Sequence, residues 1–311
     1  MSAPQRPTPA ATARLRTGGD CLRHANRLFK SAGVAHGQGF VNAEEESLTL
    51  MGHATSLAWE KLPSCFKRAL TAKEKASFLS LVERRVFDRV PTGYLVGEAW
   101  LGGLRFHIDE RVIIPRSYFV ELIPEAIPQW LPPVAQITDV ADVCTGSGCL
   151  AILLAKRFPK AHVHATDLSA KALEVAALNV ADHKLAKRIT LHETDTMTAL
   201  TKGPKFDLIL SNPPYVDARG MAKLPPEFRH EPRLALAAGD DAELGEAHTA
   251  KRAAHQLVEH GLDGAHAGIA SQRPATATLA TAGGKGVETG HQGIEGADEG
   301  LRLLLGGFLV L

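Results

Sequence analysis

From Asp139 to Leu210 short apolar strands alternate with helical stretches, and that alternation leaves few folds open. Strands separated by a helix run parallel, because the helix carries the chain back across the sheet to the end where the previous strand began. Asp139 to Cys144 reads as a strand that enters Thr145-Gly146-Ser147-Gly148, and a helix follows to about Phe158. The strand His162 to Thr166 closes on Asp167, and Ser169 is placed to cap a helix through about Ala181. Ile189–Glu193 and Phe206–Leu210 supply two more strands. The fold class predicted is α/β, a doubly wound and mostly parallel sheet.

Upstream the pattern is helical, which predicts a small helical N-terminal domain over residues 20–95. Asp20 is placed to cap a segment ending at Gly33. Asn42 with Glu45, and Thr71 with Glu74, carry capping-box spacing. Leu79, Val82, Val86 and Val90 recur at helical spacing until Pro91 stops the run. Residues 96–117 change character. Glycines and the Asp109-Glu110 pair punctuate Trp100-Leu101, Leu104–Phe106 and Val112–Ile114, which predicts a β-hairpin linker. Residues 1–19, with three arginines, three prolines and no acid, read as a disordered extension, with a targeting leader as the alternative.

With 311 residues, a formal net charge of +1 and 45% hydrophobic residues, the chain has a sizeable core and no global pull toward nucleic acid or an anionic membrane. No apolar run reaches the roughly 18 residues of a membrane helix. Cys21, Cys65, Cys144 and Cys149 lack metal-binding or redox spacing and read as reduced thiols of a cytoplasmic protein, with no metal expected.

Glycines at Gly146 and Gly148 let the backbone pass close to a ligand where the first strand meets its helix. Asp142, Thr145, Gly146 and Gly148 are therefore candidate cofactor residues. Asp167 ends the next strand, where ribose hydroxyls would find an acceptor. Asp195, after the third strand, is either an adenine-side contact or a surface aspartate. The loop suits S-adenosylmethionine, but Gly146, Gly148 and Ala151 also satisfy G-x-G-x-x-A, so nicotinamide cofactors stay open.

Asn212-Pro213-Pro214-Tyr215 follows the fourth strand and narrows the chemistry. An amide nitrogen is a poor nucleophile because its lone pair is delocalised. Acceptors on the Asn212 side chain and the Pro213 carbonyl would hold both hydrogens of an NH2 group and orient the nitrogen. The prolines stiffen the turn, and Tyr215 can stack on a planar group. Asn212, Pro213 and Tyr215 are the candidate catalytic residues, and Pro214 joins them as a substrate contact. Asn212 also borders the cofactor.

These residues resemble the protein glutamine methyltransferases, the family that modifies release factors and a large-subunit ribosomal protein. The matching stretches run from about Pro91 to Asp241. They include Tyr94 to Trp100, Val112 to Ser117, the glycine loop, Asn212 to Tyr215 and Arg229 to Leu236. Cys144 and the Gly97–Trp100 stretch are most similar to the branch acting on the ribosomal protein. The resemblance implies a Rossmann-like methyltransferase sheet over residues 118–241, S-adenosyl-L-methionine as cofactor, and a glutamine side-chain amide as acceptor. It also implies glutamine-holding roles for Asn212 and Pro213 and a ribose contact for Asp167. Arg116 stands either beside the substrate or in a surface salt bridge.

Beyond Asp241 the resemblance ends. Residues 242–311 are rich in Ala, Gly, His and Thr, hold Phe308 as their one aromatic, and show no good strand pattern before the last few residues. A poorly ordered tail is expected there, which would leave an edge of the fourth strand unpaired. The competing readings are a release-factor methyltransferase, an adenine amino-methyltransferase of nucleic acid, and an inactive cofactor-binding relative. The near-neutral charge argues against direct nucleic-acid binding.

Overall fold

The structure, a computed structural model, describes residues 6, 8–117, 119–125, 131–195, 198–200, 204–214, 216–237 and 267–269. The expected extension is partly folded: Thr8 caps a short helix α1, Pro9–Ala13. Helix α2, Gly18–Ala32, starts two residues before Asp20, which corrects the cap expected there. The Thr17 hydroxyl accepts the Asp20 N–H at 3.1 Å while the Asp20 carboxylate accepts the Thr17 N–H at 2.9 Å, a reciprocal capping box. Asp20 is thus the third helical residue rather than the cap. Gly33 ends the helix at φ 56°, the left-handed conformation that costs glycine least.

Asn42 caps α3, Ala43–Thr55, and the Thr71/Glu74 box caps α4, Ala72–Phe87, as the sequence predicts. The α4 helix stops at Phe87, ahead of Pro91, and Arg89 turns the chain at φ 58°. Phe29, Leu50, Met51, Phe78 and Val82 form the core between these helices. Helix α5, Thr92–Val96, leads into the hairpin of β1, Glu98–Leu101, and β2, Leu104–His107. Glu98 pairs with His107 and Leu101 with Leu104, across a turn in which Gly102 and Gly103 both have positive φ. Val112–Ile114 adds no third strand. Val112 and Ile114 instead bury themselves with Ile108, Ala172 and Val175.

Helix α6 is Phe119–Glu125, and the parallel sheet follows: β3 Asp139–Val143, α7 Cys149–Arg157, β4 His162–Asp167, α8 Ala170–Asp182, β5 Ile189–Glu193 and β6 Leu208–Ser211. Helix α9, Ala218–Lys223, and helix α10, Arg233–Leu236, flank a single turn of helix at Pro226–His230. A last strand, β7, Ala267–Ile269, runs parallel to β6 and gives the order β5-β4-β3-β6-β7. This corrects two expectations at once. Residues 267–269 are a strand, and the edge of β6 is paired. The sequence hid it because three residues are too few to show alternation. The expected disorder of 242–311 otherwise lies outside the described residues.

One face of the sheet, Val140, Val163, Ala165, Leu208 and Leu210, packs against Leu150, Ile152 and Leu154 of α7 and against Phe106 and Phe119. The opposite face carries His162, His164 and Thr190. There His164 lies 3.1 Å from His192 and edge-on to Phe206, and burial holds it at a pKa of about 4.

The helical domain meets the sheet domain through buried charge. The Arg85 guanidinium, 1% exposed, donates to Glu46 at 3.0 Å and to Glu227 at 3.2 Å. Arg89 also donates to Glu227, at 3.0 Å, and caps the end of α2 through Ala32 and Gly33 carbonyls. Glu227 further accepts the Ala35 N–H at 3.1 Å. Burial pushes the Glu227 carboxyl up, but these backbone and guanidinium donors outweigh it and hold the group below its usual range. Removing one partner of a buried pair costs about 3–5 kcal/mol, because the other charge stays buried and unpaired. Arg85→Ala, which leaves the buried Glu46 without its guanidinium and takes one of two from Glu227, should therefore destabilise the chain by about that much in urea denaturation. A loss below about 1 kcal/mol would show that water reaches the junction.

Candidate functional site

Val143 sits in register with Thr166 of β4 on one side and with Ser211 of β6 on the other. The residues that leave this row are Cys144, Asp167 and Asn212, so three loops emerge side by side at the carboxyl edge of the sheet. After β3 the chain builds β4 and β5 on one flank, then crosses to place β6 on the other. That reversal opens a crevice between the β3 and β6 loops, where open α/β sheets bind ligands.

The glycine loop is held by two carboxylates from below and beside. Asp142, fully buried, accepts the Thr145 hydroxyl at 2.5 Å and the Ala151 N–H at 2.9 Å. Asp167 accepts the Gly146 N–H at 2.8 Å through one oxygen and the Ser169 N–H at 2.9 Å through the other. Gly146 has φ 55° with open space beyond its Cα, and only glycine enters that conformation without strain. Gly148 is needed for a second reason. A Cβ there would stand 3.1 Å from the Ala176 Cβ, where α8 crosses the start of α7. Cys144 also has a positive φ, 63°, at the position where glycine would be relaxed.

Of the residues expected to contact the cofactor, Gly146 and Asp167 are half-buried. Asp142 and Thr145 are buried and bonded to each other, and the second Asp142 oxygen has no partner among the described residues. Asp195 lies just beyond β5, half-buried; burial above all, then the charges of Asp167 and Asp142 and least that of Asp195, push the Cys144 thiol up. Among the described residues no group of three or more His, Cys, Asp or Glu side chains could hold a metal ion.

The Asn-Pro-Pro turn begins where β6 ends. The Ser211 hydroxyl donates to the Val143 carbonyl at 2.9 Å and fixes the turn's entry to the central strand. Pro213 is buried and Pro214 half-buried. The Asn212 side-chain oxygen is buried and has no hydrogen-bond partner among the described residues. Tyr215 lies outside them. The Arg116 guanidinium forks onto Glu231, both N–O distances 2.6 Å, and lies over the Phe228 ring. The salt bridge foreseen for it is present, but with a buried partner rather than at the surface.

Sequence reading missed Asn179. Fully buried in α8, it donates to the carbonyls of Ser147 at 2.8 Å and His107 at 3.0 Å, and accepts the His107 N–H at 2.7 Å. It thereby latches the glycine loop to the hairpin. Its signal was a lone amide within the apolar run Val175 to Val180.

Asp142 has a pH consequence. Burial, opposed by its bonds to Thr145 and Ala151 and reinforced by the Asp167 charge, pushes its pKa up to about 7. The folded chain therefore holds this proton more tightly than the unfolded chain. The resulting stabilisation is full below about pH 4 and is lost as pH rises through about 7. Relative to Asp142→Asn, which cannot ionise, the parent should lose up to roughly 4 kcal/mol across that window in urea denaturation. Parallel pH profiles would show that the carboxyl ionises at no such cost.

The methyltransferase small domain matches residues 126–238. The ribosomal protein uL3 glutamine methyltransferase of Bordetella pertussis is 45% identical over 227 residues, which span 73% of this chain and 76% of the relative. That of Burkholderia pseudomallei is 42% identical over 241 residues, 76% and 77% of the two chains. Among solved structures, the N-terminal domain of human METTL16 matches with a TM-score of 0.40 at 17% identity, over 66% of this chain and 70% of that one.

Proposed function

The chain belongs to the family of ribosomal protein uL3 glutamine methyltransferases, and from that premise we propose how its residues act. It is a protein-glutamine N-methyltransferase whose cofactor is S-adenosyl-L-methionine and whose substrate is a large-subunit ribosomal protein. In bacteria, the source of these relatives, ribosomal proteins are made and assembled in the cytoplasm, and that is the place of action proposed for this chain. No described helix is long and apolar enough to cross a membrane.

The residues at the crevice fit the cofactor on two features: the open space over Gly146 and the unpartnered oxygen of the buried Asp142 beneath the loop. Gly146, Asp167 and Asp195 would hold it, Asp167 with the lone pairs its two backbone bonds leave free. S-adenosylmethionine, when bound, supplies a methyl group on a sulfonium, activated for in-line displacement.

The observation that carries the reading is the Asn212 oxygen. A buried acceptor without a donor costs about 1–3 kcal/mol. A glutamine amide that donates to it recovers that cost on arrival, so the site selects an NH2 group. The Pro213 carbonyl takes the second hydrogen. With both hydrogens held, rotation of the amide stops and the face of its nitrogen is directed toward the cofactor side of the crevice. As nitrogen gains the methyl group it becomes positive, and both N–H bonds strengthen toward their acceptors, which is where the stabilisation belongs. No base is needed before the methyl moves. The spare proton leaves afterward to solvent. Tyr215 brings to the turn an aromatic ring of the kind that can stack on a planar amide.

Asn212→Ala should lower kcat by at least about tenfold with cofactor affinity nearly intact, because the lost acceptor matters most in the transition state. Unchanged turnover would remove Asn212 from the mechanism. Asp167→Ala should weaken S-adenosylmethionine binding by roughly tenfold in calorimetry, through loss of its acceptors and release of Gly146. The assay that tests the substrate offers methyl-labelled S-adenosylmethionine with unmethylated uL3, release factor and duplex DNA in parallel. Label on a glutamine of uL3 is expected; label on either of the others would overturn the choice of substrate.

A further inference from the structure

Two ends of the Asn-Pro-Pro turn need fixing, and the sheet fixes only one. Its entry is anchored through Ser211. Its exit is Val216, whose N–H donates to the Leu236 carbonyl at 2.9 Å, in a parallel bridge between Val216 and Ala237. Leu236 closes α10, a single turn that starts right after Glu231-Pro232. Short bonds stiffen that link: Ala235 N–H to the Pro232 carbonyl at 3.0 Å and Ala237 N–H to the Arg233 carbonyl at 2.8 Å.

At its start stands Glu231, whose side chain is 0% exposed. One of its oxygens accepts from Arg116, from Gln38 Nε2 at 2.7 Å and from the Ile114 N–H at 3.4 Å, and the other from Arg116. Gln38 comes from the loop between α2 and α3, and Arg116 from the segment after the hairpin. The carboxylate is thus the point where the helical domain, the linker and the segment behind the turn are joined.

We propose that Glu231 is a positioning residue for methyl transfer: clamped by Arg116 and Gln38, it sets α10 and, through the Leu236–Val216 bond, the exit of the turn that carries Asn212. The inference rests on the function proposed above. It touches no substrate. Its carboxylate acts at a distance by leaving the peptide segment one place to sit. A bidentate fork of two charge-assisted bonds defines both distance and plane, which a neutral side chain of the same size does not. Glu227, one helical turn earlier, ties the same segment to Arg85 and Arg89, so its overall docking survives when Glu231 is altered.

The test has two readouts, of which one is independent of turnover. In Glu231→Gln, hydrogen exchange at the Val216 amide should quicken by at least about tenfold, while the β3 and β4 amides keep their protection. On a glutamine substrate, kcat should fall at least about tenfold with the dissociation constant for S-adenosylmethionine changed less than about twofold. Glu231→Asp, which keeps the charge, should recover part of both effects. Should Glu231→Gln fail to fold, the double variant Glu231→Leu with Arg116→Met removes both buried charges and restores a packed junction. Val216 should still exchange faster in it. Unchanged exchange at Val216 in a folded variant would overturn the proposal, as would unfolding of both variants, which would make Glu231 a general support. If the parent chain transfers no methyl to glutamine, the functional reading fails, while exchange at Val216 still decides the role of Glu231.

Discussion

A carboxylate taken out of water must find donors, and the arrangement of this molecule follows from where its buried carboxylates found theirs. Glu227 and Glu231 belong to the chain that runs on from the Asn-Pro-Pro turn, yet their partners are Arg85, Arg89, Arg116, Gln38 and the Ala35 amide. Four segments far apart in sequence therefore meet at one junction. Apolar packing would have allowed these surfaces to slide. Paired charges with fixed hydrogen-bond directions give one docking.

The same economy shapes the cofactor loop. Asp142 and Asp167 bond mainly to backbone N–H groups and to a hydroxyl of the loop itself. They turn a glycine-rich segment, which loses much entropy on ordering, into a fixed rim. Asn179 adds a third hold by joining that rim to the hairpin. Buried acceptors without a donor among the described residues remain at this edge, the Asn212 side-chain oxygen and one oxygen of Asp142. The proposed chemistry on an NH2 group rests on a firmly held loop beside a buried Asn212 oxygen that lacks a donor among the described residues.

Much of this was legible in the chain. The Asn42 cap and the Thr71/Glu74 box are local devices, formed by residues two or three apart, and the structure has them where the spacing put them. The strand–helix alternation foretold the parallel sheet for the same reason. Where reading failed, the deciding partner was distant. Val112–Ile114 has strand composition, but no neighbour offers it a ladder, and α8 offers it an apolar face. Ala267–Ile269 has no strand composition, but the open side of β6 supplied the ladder. Asp20 was three positions out because Thr17 and Asp20 cap reciprocally, and either can be read as the cap.

The sequence by itself determined the alternating fold, the glycine loop, the Asn-Pro-Pro turn and so the class of chemistry, because each rests on short-range geometry or on side chains that carry their function with them. Only the tertiary structure decided that Cys144, Asp167 and Asn212 leave one in-register row, that Asp142 and Thr145 lie under the loop, and that Arg116 is bound to Glu231. The reason is physical. Whether a charged or polar side chain reaches a ligand depends on which buried partner claims it first, and those partners lie as much as 193 positions away along the chain.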